Sequence, residues 1–498
     1  MKKILEIIKD NTAKHFFLIN FLNSGILLFT IFYIGSRFIY VNEQIPLLYT
    51  KPWGEKQLAD KQLLLLMPLL ILVIWILSNI FSIYAKRQLI RFGAEILLNI
   101  GLFTNFAVAI SIFRIINISS TTFPPFLPQA YTNLVGVFML TALITYLIAP
   151  KFIEFFKKNG IVTDPLVHKH PGMLLTRPSA RGGGVIFTSV LIVVASIFLQ
   201  VNTRIIGILI AVLIAAITGI LDDIVNTNPY TKFKIFGNPF FRLVVMQTIS
   251  ALCILAVGIQ INFINNPLNG LLNFDLFQIS FGQFTFYPLA IIVTIFWVLW
   301  VLNMLSFSNG VDGQYSGIVG IAMIMIGLIS IRNPDFSSLD QDIAMLAFIG
   351  AGAAIGLLPF TWYPSKVMWG FSATSAGMLI AALAIVSGSK IATAIIILLI
   401  PFLDAVITIT RRILQKKNPL KGDRGHLHHL LIERGWGVRR ISVFYWISTA
   451  FFGLIAYLSS DKDIPLISLM LSGLVAFVII VLNLRSLIRK QAKQKSDL

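Results

Sequence analysis

Residues 204–223 read RIIGILIAVLIAAITGILDD, an apolar run closed by two aspartates. About 20 helical residues cross the hydrocarbon of a bilayer, and this stretch carries no charge between Arg204 and Asp222. Comparable runs begin near Phe16, Leu63, Ala94, Tyr131, Val185, Arg242, Phe286, Tyr315, Asp342, Ser375, Ile391, Tyr445 and Ile464, about 14 runs in all. Those starting near Ser375 and Ile391 are separated only by Gly388, Ser389 and Lys390, which reads as a tight helical hairpin.

Of the 498 residues, 57% are apolar and 12% charged; soluble domains carry roughly 25% charged residues. A water-soluble protein is excluded, and an all-α polytopic integral membrane protein with about 14 transmembrane helices is predicted. Cys253 is the only cysteine and lies in an apolar run, so a disulfide framework, a cysteine zinc site and thiol redox chemistry are excluded. The net charge of +19 reads first as topology-setting lysines and arginines, and no nucleic acid is expected as a partner. Lys2, Lys3, Lys9 and Lys14 precede a run from Phe16 to about Ile34, too long for a cleaved signal core and read as a retained span.

An even number of spans puts both termini on one side. Placing them in the cytoplasm assigns most of the 40 lysines and arginines to inner segments, including nine between Arg411 and Phe444, as the positive-inside rule expects. The prolines of Thr121 to Pro128 cannot continue a helix. A boundary there divides the chain into an N-terminal extension of about three helices (1–125), a main transmembrane domain (126–484) and a basic cytoplasmic tail (485–498). Between Asn262 and Pro288 polar and apolar residues alternate around Asn and Gly turns, which predicts a short hairpin at the outer face.

The polar residues gather at cytoplasmic ends of spans: Asp222-Asp223, Asn303 to Gly313, Asp404, and Asp423 to His429. Solvated helix ends explain any one of these clusters. Four facing one compartment describe a cleft for a charged, water-soluble substrate, because ionised groups in hydrocarbon are costly and functional. Two carboxylates at a helix C-terminus also oppose the macrodipole, so a positive group must accompany Asp222 and Asp223: Mg²⁺, a lysine such as Lys232 or Lys234, or Arg242. Magnesium needs only one or two carboxylates, since it keeps water and substrate oxygens.

In Asn303-Met304-Leu305-Ser306-Phe307-Ser308-Asn309-Gly310-Val311-Asp312-Gly313, spaced amide and carboxylate oxygens interrupted by glycine suit a nucleotide or a metal hydrate. A helix C-cap turn is the plainer reading. Three of the six histidines, His426, His428 and His429, follow Arg424. At helical spacing His426 and His429 share a face. They fit neutralisation of a diphosphate or uptake of a proton; zinc is the rival, disfavoured by the lack of a cysteine partner and by the nearby carboxylates.

In this order the pieces resemble the polyprenyl-phosphate N-acetylhexosamine-1-phosphate transferases, the membrane family that includes phospho-N-acetylmuramoyl-pentapeptide transferase. The resemblance runs from about Tyr131 to Leu484. It is carried by Asp164-Pro165, Arg181-Gly182-Gly183-Gly184, Asp222-Asp223, the Asn303 to Gly313 loop, Pro401-Phe402-Leu403-Asp404, Arg411-Arg412 and Asp423-Arg424-Gly425-His426-Leu427-His428-His429. The form His-Leu-His-His after Asp-Arg looks like the branch that uses UDP-N-acetylglucosamine or related sugars.

The resemblance implies that a membrane polyprenyl phosphate attacks the sugar-bearing phosphorus of a UDP-N-acetylhexosamine and releases UMP. It places this step at the start of envelope polysaccharide synthesis, in the plasma (inner) membrane, with active-site loops in the cytoplasm. It implies Mg²⁺, with Mn²⁺ as the alternative ion, and leaves a homodimer open. By the same analogy Asp222 and Asp223 orient or deprotonate the lipid phosphate, and Asp312 contacts nucleotide or sugar. Asn303 and Asp222 hold the metal, and Asn303, Asn309, Lys234, Arg424, His426, His428 and His429 bind substrate.

Two departures stand out. The family loop usually reads Asn-x-x-Asn-x-x-Asp-Gly-x-Asp-Gly, whereas Ser306 and Asn309 occupy its second Asn and first Asp. The family motif Gly-Asp-Ser-Gly-Ser aligns with Gly370-Phe371-Ser372-Ala373-Thr374, so Phe371 replaces the expected metal-binding Asp. A degenerate member that binds lipid or nucleotide without catalysis is therefore the second reading. The third is a membrane transporter, which calls for polar residues at mid-membrane and repeated halves.

Overall fold

Backbone amides cannot stay unpaired in hydrocarbon, so apolar runs of this length close their hydrogen bonds within helices. The computed structural model describes residues 2–47, 54–87, 91–120, 129–167, 175–200, 202–228, 235, 238–266, 270–281, 284–332, 337–387, 391–418 and 425–496. Among these, nine helices are long and apolar enough to cross a membrane, ten if the pair Ile391–Ile397 and Leu399–Leu414, meeting at 89°, is one span. The other apolar runs form the shorter helical segments Gly183–Phe198, Phe241–Ala256, Gln314–Ser330 and Phe371–Val386. The protein is an all-α polytopic membrane protein. The expected breaks at Thr121 to Pro128 and at Gly388 to Lys390, together with Lys234 and Arg424, lie outside the described residues.

The chain divides into two units, Met1–Pro128 and Gln129–Leu498. The first holds α1 (Lys2–Arg37), α2 (Met67–Arg87) and α3 (Arg91–Ile118), with a small hairpin of β1 (Gln44–Pro46) and β2 (Leu58–Asp60). Ile34, Ile71, Ile112 and Ile116 form its core. Asn105 donates to Asn23 at 2.8 Å and the Trp75 indole to Asn20 at 2.6 Å, polar ties between apolar helices where unpaired amides are penalised.

The second unit begins with α4 (Gln129–Lys158), followed by β3 (Val162–Thr163), β4 (Ser179–Arg181), α5 (Gly183–Phe198), α6 (Thr203–Thr227) and α7 (Met246–Ala256). The predicted outer hairpin is two hairpins, β5 (Phe263–Asn265) with β6 (Leu271–Asn273), and β7 (Ile279–Phe281) with β8 (Phe284–Phe286). Next come α8 (Pro288–Phe307), α9 (Gln314–Ser330), α10 (Ser338–Thr361), β9 (Val367–Met368) and α11 (Thr374–Val386). The unit closes with α12 (Ile391–Ile397), α13 (Leu399–Leu414), α14 (Leu427–Ile432), α15 (Val438–Leu458) and α16 (Ile464–Ser496). Helix α16 runs on through much of the predicted tail.

Helix α10 is the axis of this unit, with 78% of its apolar window buried. A Cβ on Gly352 would meet Thr141 at 2.8 Å, and one on Gly356 would meet Thr145 at 2.8 Å, so α10 lies directly on the α4 backbone. Small residues four apart permit this approach, which in a membrane replaces the missing hydrophobic drive with dispersion contact. At one end of the bundle a three-stranded sheet, β3-β4-β9, pairs Ala180 with Val367 and Arg181 with Met368. That register brings Arg181 to the chain that leads into α11.

Candidate active site

The aspartate doublet lies in the closing turns of α6, yet neither residue is solvated: Asp222 is 1% exposed and Asp223 fully buried. Asp222 accepts from Asn226 Nδ2 at 2.7 Å and from Arg242 Nη1 at 3.0 Å and 3.3 Å on its two oxygens. Asp223 accepts the backbone N–H of Phe371 at 2.8 Å and of Ser372 at 3.3 Å, with Arg181 Nε 3.7 Å away. Residues Phe371–Ala373 form a 3-10 turn that leads straight into α11, so Asp223 satisfies amides that no intrahelical acceptor reaches. A carboxylate that opposes the dipole of its own helix is thus stabilised by the positive end of another.

Gly370 makes this possible. Its φ is +66°, a region closed to most side chains, and a Cβ there would fall on the Asp223 carboxylate. Phe371 presents its ring to Arg242, whose guanidinium carbon stands 5.2 Å from the ring centroid. Arg242 belongs to a π-helical turn, Phe241–Val245, ahead of α7. Such turns alter the facing of side chains and often mark functional positions.

The α8–α9 loop reaches the same turn. Asn309 donates to the Gly370 carbonyl at 3.2 Å, and a Cβ on Gly310 would meet the imidazole of His428, with Cε1 at 2.7 Å. Asn303 sits one level lower in α8 with its amide engaged: Nδ2 donates to Gln247, Leu299 and Leu243, and Oδ1 accepts from Gln247 at 3.1 Å. Asp312 accepts the Ser365 N–H at 3.0 Å. Burial raises its pKa above the ordinary carboxylate value, against the hydrogen bonds of Ser365.

His426 Nδ1 lies 3.0 Å from Asp404, which also accepts the Leu427 N–H at 2.7 Å. Its Nε2 faces Arg412 Nη2 at 3.4 Å, so the network assigns the proton of a neutral ring to Nδ1. His426 packs at a tilt against Phe307 and stacks on His428, the two imidazoles almost parallel at 5.7 Å. His428 is buried and its Nδ1 has no hydrogen-bond partner among the described residues. Burial, and then the charges of His429 and His426, push its pKa well below 6.5. His429, partly exposed, is the one of the three open to solvent.

The doublet, the asparagine loop, the Gly370 turn and the histidines thus form one connected site. Asp404, named from the sequence among the polar clusters of the cleft, and Arg181, quoted there only as part of the resemblance, both belong to it although neither was given a role; Arg242 was named only as one compensator among several. Among the described residues no group of three or more His, Cys, Asp or Glu is placed to hold a metal ion. The oxygens of Asp222, Asp223 and Asn303 already accept protein donors, and Phe371 offers none. These residues as they stand do not fit a resident divalent ion, which needs free hard oxygens.

The family model described as glycosyl transferase family 4 matches residues 205–388, the stretch from α6 through α11 that carries the doublet, the loop and the turn. The chain is 24% identical over 374 residues to a probable undecaprenyl-phosphate N-acetylglucosaminyl 1-phosphate transferase of Bacillus subtilis, covering 74% of this chain and 96% of the relative. It is 24% identical to a decaprenyl-phosphate N-acetylglucosaminephosphotransferase of Mycolicibacterium smegmatis, over 55% of this chain and 67% of the relative. A phospho-N-acetylmuramoyl-pentapeptide-transferase of Streptococcus pyogenes is 27% identical over 50% of this chain and 72% of its own.

Proposed function

We propose that this protein transfers N-acetylhexosamine-1-phosphate from a UDP-sugar to a membrane polyprenyl phosphate, releasing UMP. The observation that carries the reading is the convergence of Asp223 and Asn309 on the turn at Gly370, with His428 against Gly310 of the Asn309 loop and Asp222 tied to Arg242 beside Phe371. An oxygen of the lipid phosphate forms a bond to the sugar-bearing phosphorus, the diphosphate bond breaks, and UMP leaves with the electron pair. A phosphate monoester is largely ionised near neutral pH, so the protein's work is to align two anions and spread their charge. Arg242 and Arg181 supply positive charge beside the doublet, Asp222 and Asp223 orient the attacking phosphate, and Asp312 with Asn309 borders the nucleotide or sugar. His429 is the histidine that solvent and substrate reach; His426 and His428 hold it in place. Lys234 and Arg424 bind substrate in this reading.

Magnesium or manganese belongs to this proposal as an ion carried on the substrate's diphosphate, with water completing its shell. The proposal also includes about 14 membrane crossings, both termini and the active-site loops in the cytoplasm, and residence in the plasma membrane, and it leaves a homodimer open. The test is UMP release from a panel of UDP-N-acetylhexosamines by membranes containing polyprenyl phosphate, with and without magnesium. Release from at least one sugar supports the proposal. Its absence from all of them overturns it in favour of the second reading, a member that binds without turnover, which Phe371 favours because it brings no carboxylate to the site.

A further inference from the structure

We propose that the guanidinium of Arg242, tied to Asp222 and braced on Phe371, is the group that binds the phosphoryl oxygens of the substrate, and that this binding requires no divalent cation. The inference deepens the transferase reading and uses the same site. Both contacts of Arg242 with Asp222 come from one nitrogen, Nη1. Nε is buried without a hydrogen-bond partner, while the side chain as a whole is 27% exposed, so the donor that faces the cleft is Nη2, which takes no part in the contacts with Asp222. A guanidinium presents its donors in a planar fork that suits two phosphate oxygens at once.

Phe371 keeps that donor free. The aromatic face attracts the cation but accepts none of its in-plane N–H groups, whereas a carboxylate at position 371 would consume them. The local charges also balance: Asp222 pairs with Arg242, and Asp223 lies against Arg181. A neutral quartet admits an anion that two uncompensated carboxylates would repel. The nearby Asn309 and Gly370 add no charge.

The experiment measures binding of inorganic pyrophosphate to the purified full-length protein in nanodiscs by calorimetry, in EDTA and in millimolar magnesium. The unsubstituted protein is expected to bind in EDTA with an affinity within about threefold of that in magnesium. Arg242→Ala is expected to weaken binding in EDTA by about tenfold or more, and Arg242→Lys by less, because charge persists but the fork is lost. Arg485→Ala, a substitution in the last span, serves as the control for non-specific attraction and should leave affinity unchanged. Phe371→Asp should weaken binding in EDTA. Thermal denaturation confirms that each variant is folded.

Binding by the unsubstituted protein that vanishes in EDTA and returns with magnesium would overturn the proposal. So would equal affinities for folded Arg242→Ala and unsubstituted protein. The readout is independent of turnover: pyrophosphate binding without UMP release would sink the transferase reading alone, and UMP release with magnesium-dependent binding would sink this one alone.

Discussion

The carboxylate of Asp223 accepts the backbone N–H of Phe371 across 148 positions of sequence. One side chain thereby joins the end of α6 to the start of α11. Removing it leaves the Phe371 and Ser372 amides without their acceptor and Arg181 without its counter-charge. Asp223→Ala should destabilise the protein by about 2–4 kcal/mol, read as a lowered thermal midpoint in detergent. Asp223→Asn keeps one acceptor oxygen and should lose about half as much. A fully active, undisturbed Asp223→Ala protein would show that the cap is dispensable.

Asp222 and Arg242 should behave as a coupled pair. Arg242→Gln leaves a nearly buried carboxylate short of its counter-charge, while Asp222→Asn with Arg242→Gln removes both charges. The double variant is expected to be more stable than the sum of the two single losses, with a coupling energy of about 0.5–3 kcal/mol. Additive losses would mean that the ion pair contributes nothing to the fold.

His428 gives the folded protein an acid weakness. Its folded pKa is lowered below 6.5 by burial and by its neighbouring imidazoles. The unfolded chain then binds more protons at that position as pH falls below 6.5, so stability is present above that value and is lost on acidification. His428→Gln, which cannot charge, should flatten the decline of thermal midpoint with falling pH. An unchanged pH profile would assign the acid sensitivity to other groups.

Asp312 separates stability from function. Burial disfavours its ionised form, so folded protein loses stability as pH rises through its raised pKa. Asp312→Asn still offers an oxygen to the Ser365 N–H. The variant should match or exceed the parent in thermal midpoint at neutral pH while UMP release falls by about 100-fold or more. A parallel loss of both would make the residue structural.

Much of this site was legible because apolar runs and interrupting polar residues differ so sharply in the chain. The ends of the runs located Asp222-Asp223, Asn309 and the histidines, and a shared sidedness implied that they meet. A run of apolar residues does not fix the length of its helix: the runs at Val185 and Tyr315 became α5 and α9, of 16 and 17 residues. Arg242 was harder to assign, because its reach to Asp222 depends on a π-helical turn. The capping of Phe371 by Asp223 left no local trace at all, since the amides concerned belong to a turn far along the chain. Asn303 looked available from its type and spacing; only the partner in α7, Gln247, reveals that its amide is already spoken for.

The stacking of Arg242 on Phe371 has a genetic corollary. Restoring an acid at position 371 alone would hand the arginine a second anion and quench it, whereas losing the arginine alone would strand Asp222. Each position is therefore a barrier to change at the other. Descendants of this gene should swap the two together or keep both, and a laboratory selection for magnesium use should recover paired mutations rather than single ones.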